Sequence, residues 1–133
     1  RSLNYKNLNM PPKKKIFHQT IKTPEQFEEL TTNEHDGPLV IIDVHLDWCG
    51  PCLCMEPNYP TIWFSYDVPE QRLSFWQCPE SNLPEDLKLR LQLSCRPRFL
   101  IYKQGKMVRE IAGARYNDLL DGINAHIPEG PDD

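Results

Sequence analysis

The sequence has no apolar run approaching the roughly eighteen residues a membrane-spanning helix needs, so no segment is expected to cross a bilayer. It shows no charged-then-apolar leader, although it begins at Arg1 rather than methionine and so leaves room for an upstream segment. No second CxxC and no HxxxH accompany its single CxxC, which leaves half a zinc site without its other half. The five cysteines are odd in number, and two of them stand only two positions apart. That argues against a secreted disulfide framework and for a reducing, cytoplasmic compartment. No internal repeat is present, and the thirteen prolines are scattered rather than gathered into a linker.

Acidic residues are absent from residues 1–20, where Arg1, Lys6, Lys13, Lys14 and Lys15 stand unopposed. The rest of the chain carries ten basic and nineteen acidic residues, or −9, within a net charge of −4. On charge alone such an arm suits an acidic partner or a nucleic acid, and as a solvated tail it needs neither. No nucleic-acid partner is expected.

At 133 residues, 39% apolar and with a mean hydropathy of −0.59, the chain fits one domain around one core. Residues 1–15 read as a basic extension and residues 128–133 as an acidic tail, flanking a domain over 16–127. "IFHQTI" reads as a short strand. "TPEQFEEL" reads as a helix start, with Thr23 as cap, Pro24 at the first position and Gln26 completing a capping box. "LVIIDVHL" is almost continuously apolar and β-branched, the pattern of a central strand covered on both faces. A helix is predicted over 51–66, kinked by Pro57, with Met55, Tyr59, Ile62 and Trp63 on its apolar face. "RLSFWQC" follows as a second buried strand. Leu83, Leu87 and Leu91 recur every four residues in a further helix, and Gln104-Gly105 joins two strands as a hairpin. "ARYNDLLDGINAHI" closes the chain as a helix with Leu119, Leu120 and Ile123 inward. Strands alternating with helices, then a hairpin and helix, predict an α/β fold with a mixed sheet between two helical layers.

The chemistry gathers at Cys49-Gly50-Pro51-Cys52, between the buried strand and a predicted helix N-terminus. Partial positive charge there favours a thiolate, which in a CxxC can titrate near about pH 7. Cys49 is expected to be exposed and to attack, while Cys52, shielded one turn in, resolves the mixed disulfide. Two intervening residues let a Cys49–Cys52 disulfide close, so no other cofactor is required. Cys54, two positions further on, is expected to be a small buried hydrophobe. Asp43, inside an apolar strand, is costly unless neutral or hydrogen-bonded, and its options are proton transfer with Cys52 or a structural role.

"WCGPC" after "LVIIDVHLD" resembles the active site of the thioredoxin family, and the resemblance extends over roughly 16–127. It implies the three-layer α/β/α thioredoxin fold and protein disulfides as substrates. It also implies that Asp43 is the buried aspartate beneath the dithiol, that Trp48 flanks the nucleophile and that Pro57 kinks the helix. Pro97 matches the proline held cis opposite the cysteines, and Gly105 and Gly113 match the hairpin and groove glycines. Trp48, Gly50, Pro51, Arg96, Pro97 and Gly113 would then shape the docking groove.

The departures lie around that groove. Arg96 and Arg98 bracket Pro97, with Cys95 just before them. Gln77 stands where many relatives carry a buried lysine, and Leu53 where a lysine commonly follows the dithiol. A guanidinium near Cys49 would favour the thiolate and an acidic partner. Trp63, Phe64 and Trp76 are expected in the core. Cys95-Arg96-Pro97-Arg98-Phe99-Leu100 and Gly113-Ala114 are similar to stretches in thioredoxin-like light chains of ciliary outer-arm dynein. That implies a redox-competent subunit bound to a dynein heavy chain or another axonemal protein, held through the basic arm or the Arg96/Arg98 groove. The alternative is a free cytosolic protein-disulfide reductase.

Overall fold

The computed structural model describes residues 17–51 and 53–131. The basic extension, Ile16 and Cys52 lie outside the described residues, as do the last two residues of the acidic tail.

β1 (His18–Thr20) leads into α1 (Pro24–Thr32) through Thr23, whose hydroxyl accepts from the Gln26 amide at 3.1 Å. The Gln26 side chain reaches back to the Lys22 amide at 2.8 Å, one residue before the cap. The first bond satisfies an amide that a helix start leaves without a partner, and the second holds the residue before the cap rather than the Thr23 amide that the expected capping box would use. β2 (Leu39–His45) follows, then a 3₁₀ turn at Leu53–Met55 and α2 (Asn58–Trp63). The single kinked helix predicted over 51–66 is therefore two pieces. Pro57 cannot donate to a helical ladder and becomes the residue preceding α2, while Pro60 sits in the first turn, where a missing N–H costs nothing.

A four-residue helix that the sequence did not announce, α3 (Pro69–Arg72), opens on Val68 in the left-handed region at φ 47°. Then come β3 (Leu73–Pro79), a 3₁₀ turn at Glu80–Asn82 and α4 (Glu85–Leu91). β4 (Arg98–Lys103) and β5 (Lys106–Ala112) form the expected hairpin. Gln104 at φ 49° and Gly105 at φ 81° supply the two left-handed residues of a turn whose twist matches its strands. α5 (Tyr116–His126) ends the domain.

The sheet order is β1-β3-β2-β4-β5. β1 and β2 run parallel to β3, whereas β4 is antiparallel to both β2 and β5, so the sheet is mixed. Alternation along β2 sends Leu39 and Ile41 to one face and Ile42 and Val44 to the other. The first face packs with Tyr59 and Ile62 of α2 and Leu119 and Ile123 of α5. The second packs with Phe27 of α1 and Leu91 of α4. Burying each such aliphatic side chain contributes about 1.5–3 kcal/mol, which makes β2 the anchor of both layers.

Trp63 and Trp76 pack at the margins of these clusters, but Phe64 is 70% exposed rather than in the core. Phe64 instead meets the edge of Phe17, ring centroids 5.6 Å apart. Among the described residues, no helix is long and apolar enough to cross a membrane.

Candidate functional site

β2 and β4 are adjacent and antiparallel, with Val44 opposite Arg98. The chain leaving β2 and the chain entering β4 therefore emerge at the same end of the sheet. The first carries Cys49 and the second Cys95, and the structure joins their sulfurs in a disulfide with Cα atoms 5.7 Å apart. Sequence reading placed the redox pair at Cys49 and Cys52 and assigned Cys95 no role. The available signal was a third cysteine in the loop expected to face Cys49.

Both loops are held by hydrogen bonds to neighbouring segments. The Cys49 and Gly50 amides donate to the Leu46 carbonyl at 3.2 and 3.0 Å. Gly50 takes φ 74°, a conformation open to glycine at little cost. Asp47 accepts from the Ser81 amide at 3.3 Å, tying the Cys49 loop to the segment after β3. On the other side, the Gly113 amide donates to the Pro97 carbonyl at 2.7 Å, and the Arg96 amide to the Ser94 hydroxyl at 3.3 Å.

Between them lies a cavity of about 250 Å³ lined by His45, Trp48, Cys49, Gly50, Pro51, Ser94, Cys95, Arg96 and Pro97. The structure thus brings five predicted groove residues (Trp48, Gly50, Pro51, Arg96 and Pro97) around Cys49. Trp48 lines this cavity and is 78% exposed, an apolar surface beside Cys49, while Leu53, outside the cavity lining, is 69% exposed. Gly113 adjoins the groove through Arg96: a Cβ there would lie 2.8 Å from the Arg96 Nη2.

Several expectations need correction. The peptide bond before Pro97 is trans, the form X–Pro bonds favour by about 0.5–1 kcal/mol, rather than cis. Cys54 is exposed, because the chain there forms a short 3₁₀ turn and not the inner face of a helix. A helix does not start at Pro51; it starts at Asn58, which removes the expected dipole from immediately behind Cys49. Arg98 does not line the groove as an open cation. Its Nη1 pairs with Glu110 at 3.0 Å, and Arg90 pairs with the other oxygen of the same carboxylate at 3.1 Å.

Asp43 is buried at 1% exposure, in register with Gln77 on one side and Phe99 on the other. Gln77 is also buried and donates from Nε2 to Glu56 at 3.0 Å. His18 Nε2 lies 3.7 Å from the same Glu56 oxygen. A neutral amide thus stands beside Asp43, and the Glu56 carboxylate accepts its hydrogen bond.

His45, which sequence reading passed over, is half-buried beside Cys49, and desolvation lowers its pKa from 6.5. The Asp47 carboxylate and the Asp43 backbone carbonyl oppose that shift without overcoming it. Cys78, by contrast, donates to the Pro79 carbonyl, and burial together with Asp47 pushes its thiol up to about 12. It is a structural sulfur.

The family model described as Thioredoxin matches residues 18–125. The chloroplastic thioredoxin F2 of Arabidopsis thaliana is 36% identical over 88 residues, covering 65% of this chain and 45% of the relative. Thioredoxin AMT13 of Alternaria alternata is 29% identical over 109 residues, covering 82% of this chain and 86% of the relative. The chain spans about half the length of the chloroplastic relatives it matches. Among solved structures, a reduced Schistosoma mansoni thioredoxin pre-protein superposes with a TM-score of 0.60 at 26% identity. That superposition covers 80% of this chain and 95% of the other.

Proposed function

This chain belongs to the thioredoxin family, and from that premise we propose that it is a dithiol–disulfide oxidoreductase acting on protein disulfides. The observation that carries the reading is the placement of Cys49. It sits in a glycine-containing turn at the end of the most buried strand, beside an exposed Trp48, with its sulfur already engaged in a disulfide. A sulfur so presented can enter thiol–disulfide exchange.

In the proposed cycle the Cys49 thiolate attacks one sulfur of a target disulfide. A mixed disulfide forms, and the other target sulfur leaves as a thiolate. Cys52, one residue beyond the cavity-lining Pro51, then attacks the Cys49 sulfur. The second target thiolate is released, and the enzyme is left oxidised as Cys49–Cys52. Asp43, buried at the base of the loop, takes the Cys52 proton as that thiol becomes a nucleophile. Trp48, Gly50, Pro51, Arg96, Pro97 and Gly113 form the surface on which the target backbone docks.

Insulin reduction by the wild type and by Cys49→Ser tests this directly. The wild type is expected to reduce insulin and the variant to remain at background. Equal rates would remove the oxidoreductase reading.

The finer reading, a light chain held on ciliary outer-arm dynein, draws its support from the similarity of Cys95–Leu100 and Gly113-Ala114 to such subunits and from the basic arm. The Arg98–Glu110 pair weakens one half of the proposed attachment groove. Co-sedimentation with salt-extracted axonemes tests it, and a protein confined to the cytosolic pool counts against it.

A further inference from the structure

We propose that Cys95 is a second resolving cysteine, giving the mixed disulfide an exit that does not pass through Cys52. The inference rests on the oxidoreductase reading and deepens it.

Position is the first support. Pairing of Val44 with Arg98 brings the two loops out together, so Cys49, five residues past Val44, and Cys95, three before Arg98, face one another across one cavity. Their Cα separation of 5.7 Å is the usual spacing for a disulfide. Each loop is tied down next to its strand, since the Gly113 amide donates to the Pro97 carbonyl just before β4 and the Cys49 amide donates to the Leu46 carbonyl just after β2.

Exclusion is the second support. Among the described residues, Cys78 is buried with its thiol at about 12 and hydrogen-bonded to its own strand. Cys54 is exposed, but it does not line the cavity that holds Cys49. Cys95 is exposed, lines that cavity and is bonded to the nucleophile.

The step balances. With Cys49 in a mixed disulfide to the target, the Cys95 thiolate attacks the Cys49 sulfur. A Cys49–Cys95 bond forms, the bond from Cys49 to the target breaks, and the target leaves as a thiolate that takes a proton from water. Two electrons pass from the Cys49/Cys95 pair to the target. The Cys52 thiolate can then attack Cys49, releasing Cys95 and moving the bond to Cys49–Cys52, or an external dithiol can reduce the pair.

The deciding experiment is a single turnover with pre-reduced, reductant-free protein and insulin, analysed by non-reducing electrophoresis and peptide mass spectrometry. Cys52→Ser is expected to release insulin thiols and yield a Cys49–Cys95 cross-linked peptide, with the covalent adduct below about a tenth of the protein. Cys52→Ser/Cys95→Ser is expected to accumulate the adduct. Serine suits position 95, which is exposed, and far-UV circular dichroism checks that both variants fold. If Cys52→Ser accumulates as much adduct as the double variant, with no cross-linked peptide, Cys95 does not resolve while the oxidoreductase reading stands. If the wild type fails to exceed Cys49→Ser, that reading falls and this proposal with it.

Discussion

Asp43 of β2 stands directly across from Gln77 of β3, and both are buried at the end of the sheet that feeds the Cys49 loop. Here the carboxylate faces a neutral amide whose hydrogen atoms are directed to Glu56. The proposed cycle assigns the proton of the resolving thiol to Asp43. In a Cys95→Ser background, where resolution must pass through Cys52, Asp43→Asn is expected to slow resolution of a mixed disulfide by about 100-fold near neutral pH. The deficit should shrink as pH rises and the resolving thiol ionises without help. Stopped-flow kinetics across pH would show this, and a pH-independent deficit would point to a structural role instead.

His45 makes stability depend on pH. Its folded pKa lies below 6.5, the value of an unperturbed imidazole, so on acidification the unfolded chain binds a proton first. The contribution is complete above about pH 6.5 and falls with decreasing pH until the folded imidazole protonates too. Urea titrations of His45→Asn should show a flatter stability profile than the wild type between those two pKa values. Parallel profiles would mean that the ring titrates equally in both states.

Glu110 neutralises two arginines, Arg90 from α4 and Arg98 from β4. The Arg98 side chain is only 18% exposed, whereas Arg90 is 55% exposed, so most of the effect belongs to Arg98. Glu110→Gln is expected to lower stability by about 1 kcal/mol after allowance for screening. The loss should diminish in high salt, which a denaturation midpoint at two ionic strengths would reveal.

Gly113 has φ 94°, and a Cβ on it would press on the Arg96 guanidinium at 2.8 Å. Gly113→Ala is expected to cost about 1–2 kcal/mol in backbone strain and to displace Arg96 from the groove wall. Thermal unfolding measures the first effect. A changed insulin KM with kcat retained would report the second.

Cys54 and Cys78 should separate cleanly under iodoacetamide. Exposed Cys54 is expected to label in the native protein, and Cys78, with its thiol at about 12, only after unfolding. Native labelling of Cys78 would show that its strand opens locally.

Local pattern carried most of the fold into the sequence. Branched apolar residues in "LVIIDVHL" can be covered only on two faces, Thr23-Pro24 must begin a helix, and Gln104-Gly105 must turn. Each follows from interactions within a few residues. The "WCGPC" stretch likewise announced Cys49, Trp48, Gly50 and Pro51 as one loop after a buried strand. What needed tertiary structure was every relationship across the sheet. Cys49 and Cys95 are 46 residues apart, and only the β2–β4 register brings their loops together. Arg98 reads in sequence as an open cation beside Pro97, yet strand pairing delivers Glu110 to it. Pro57 reads as a kink, but whether a proline bends a helix or begins a new one depends on what the flanking turns pack against. Periodicity is written along the chain, whereas pairing and charge neutralisation belong to whichever residues the sheet sets side by side.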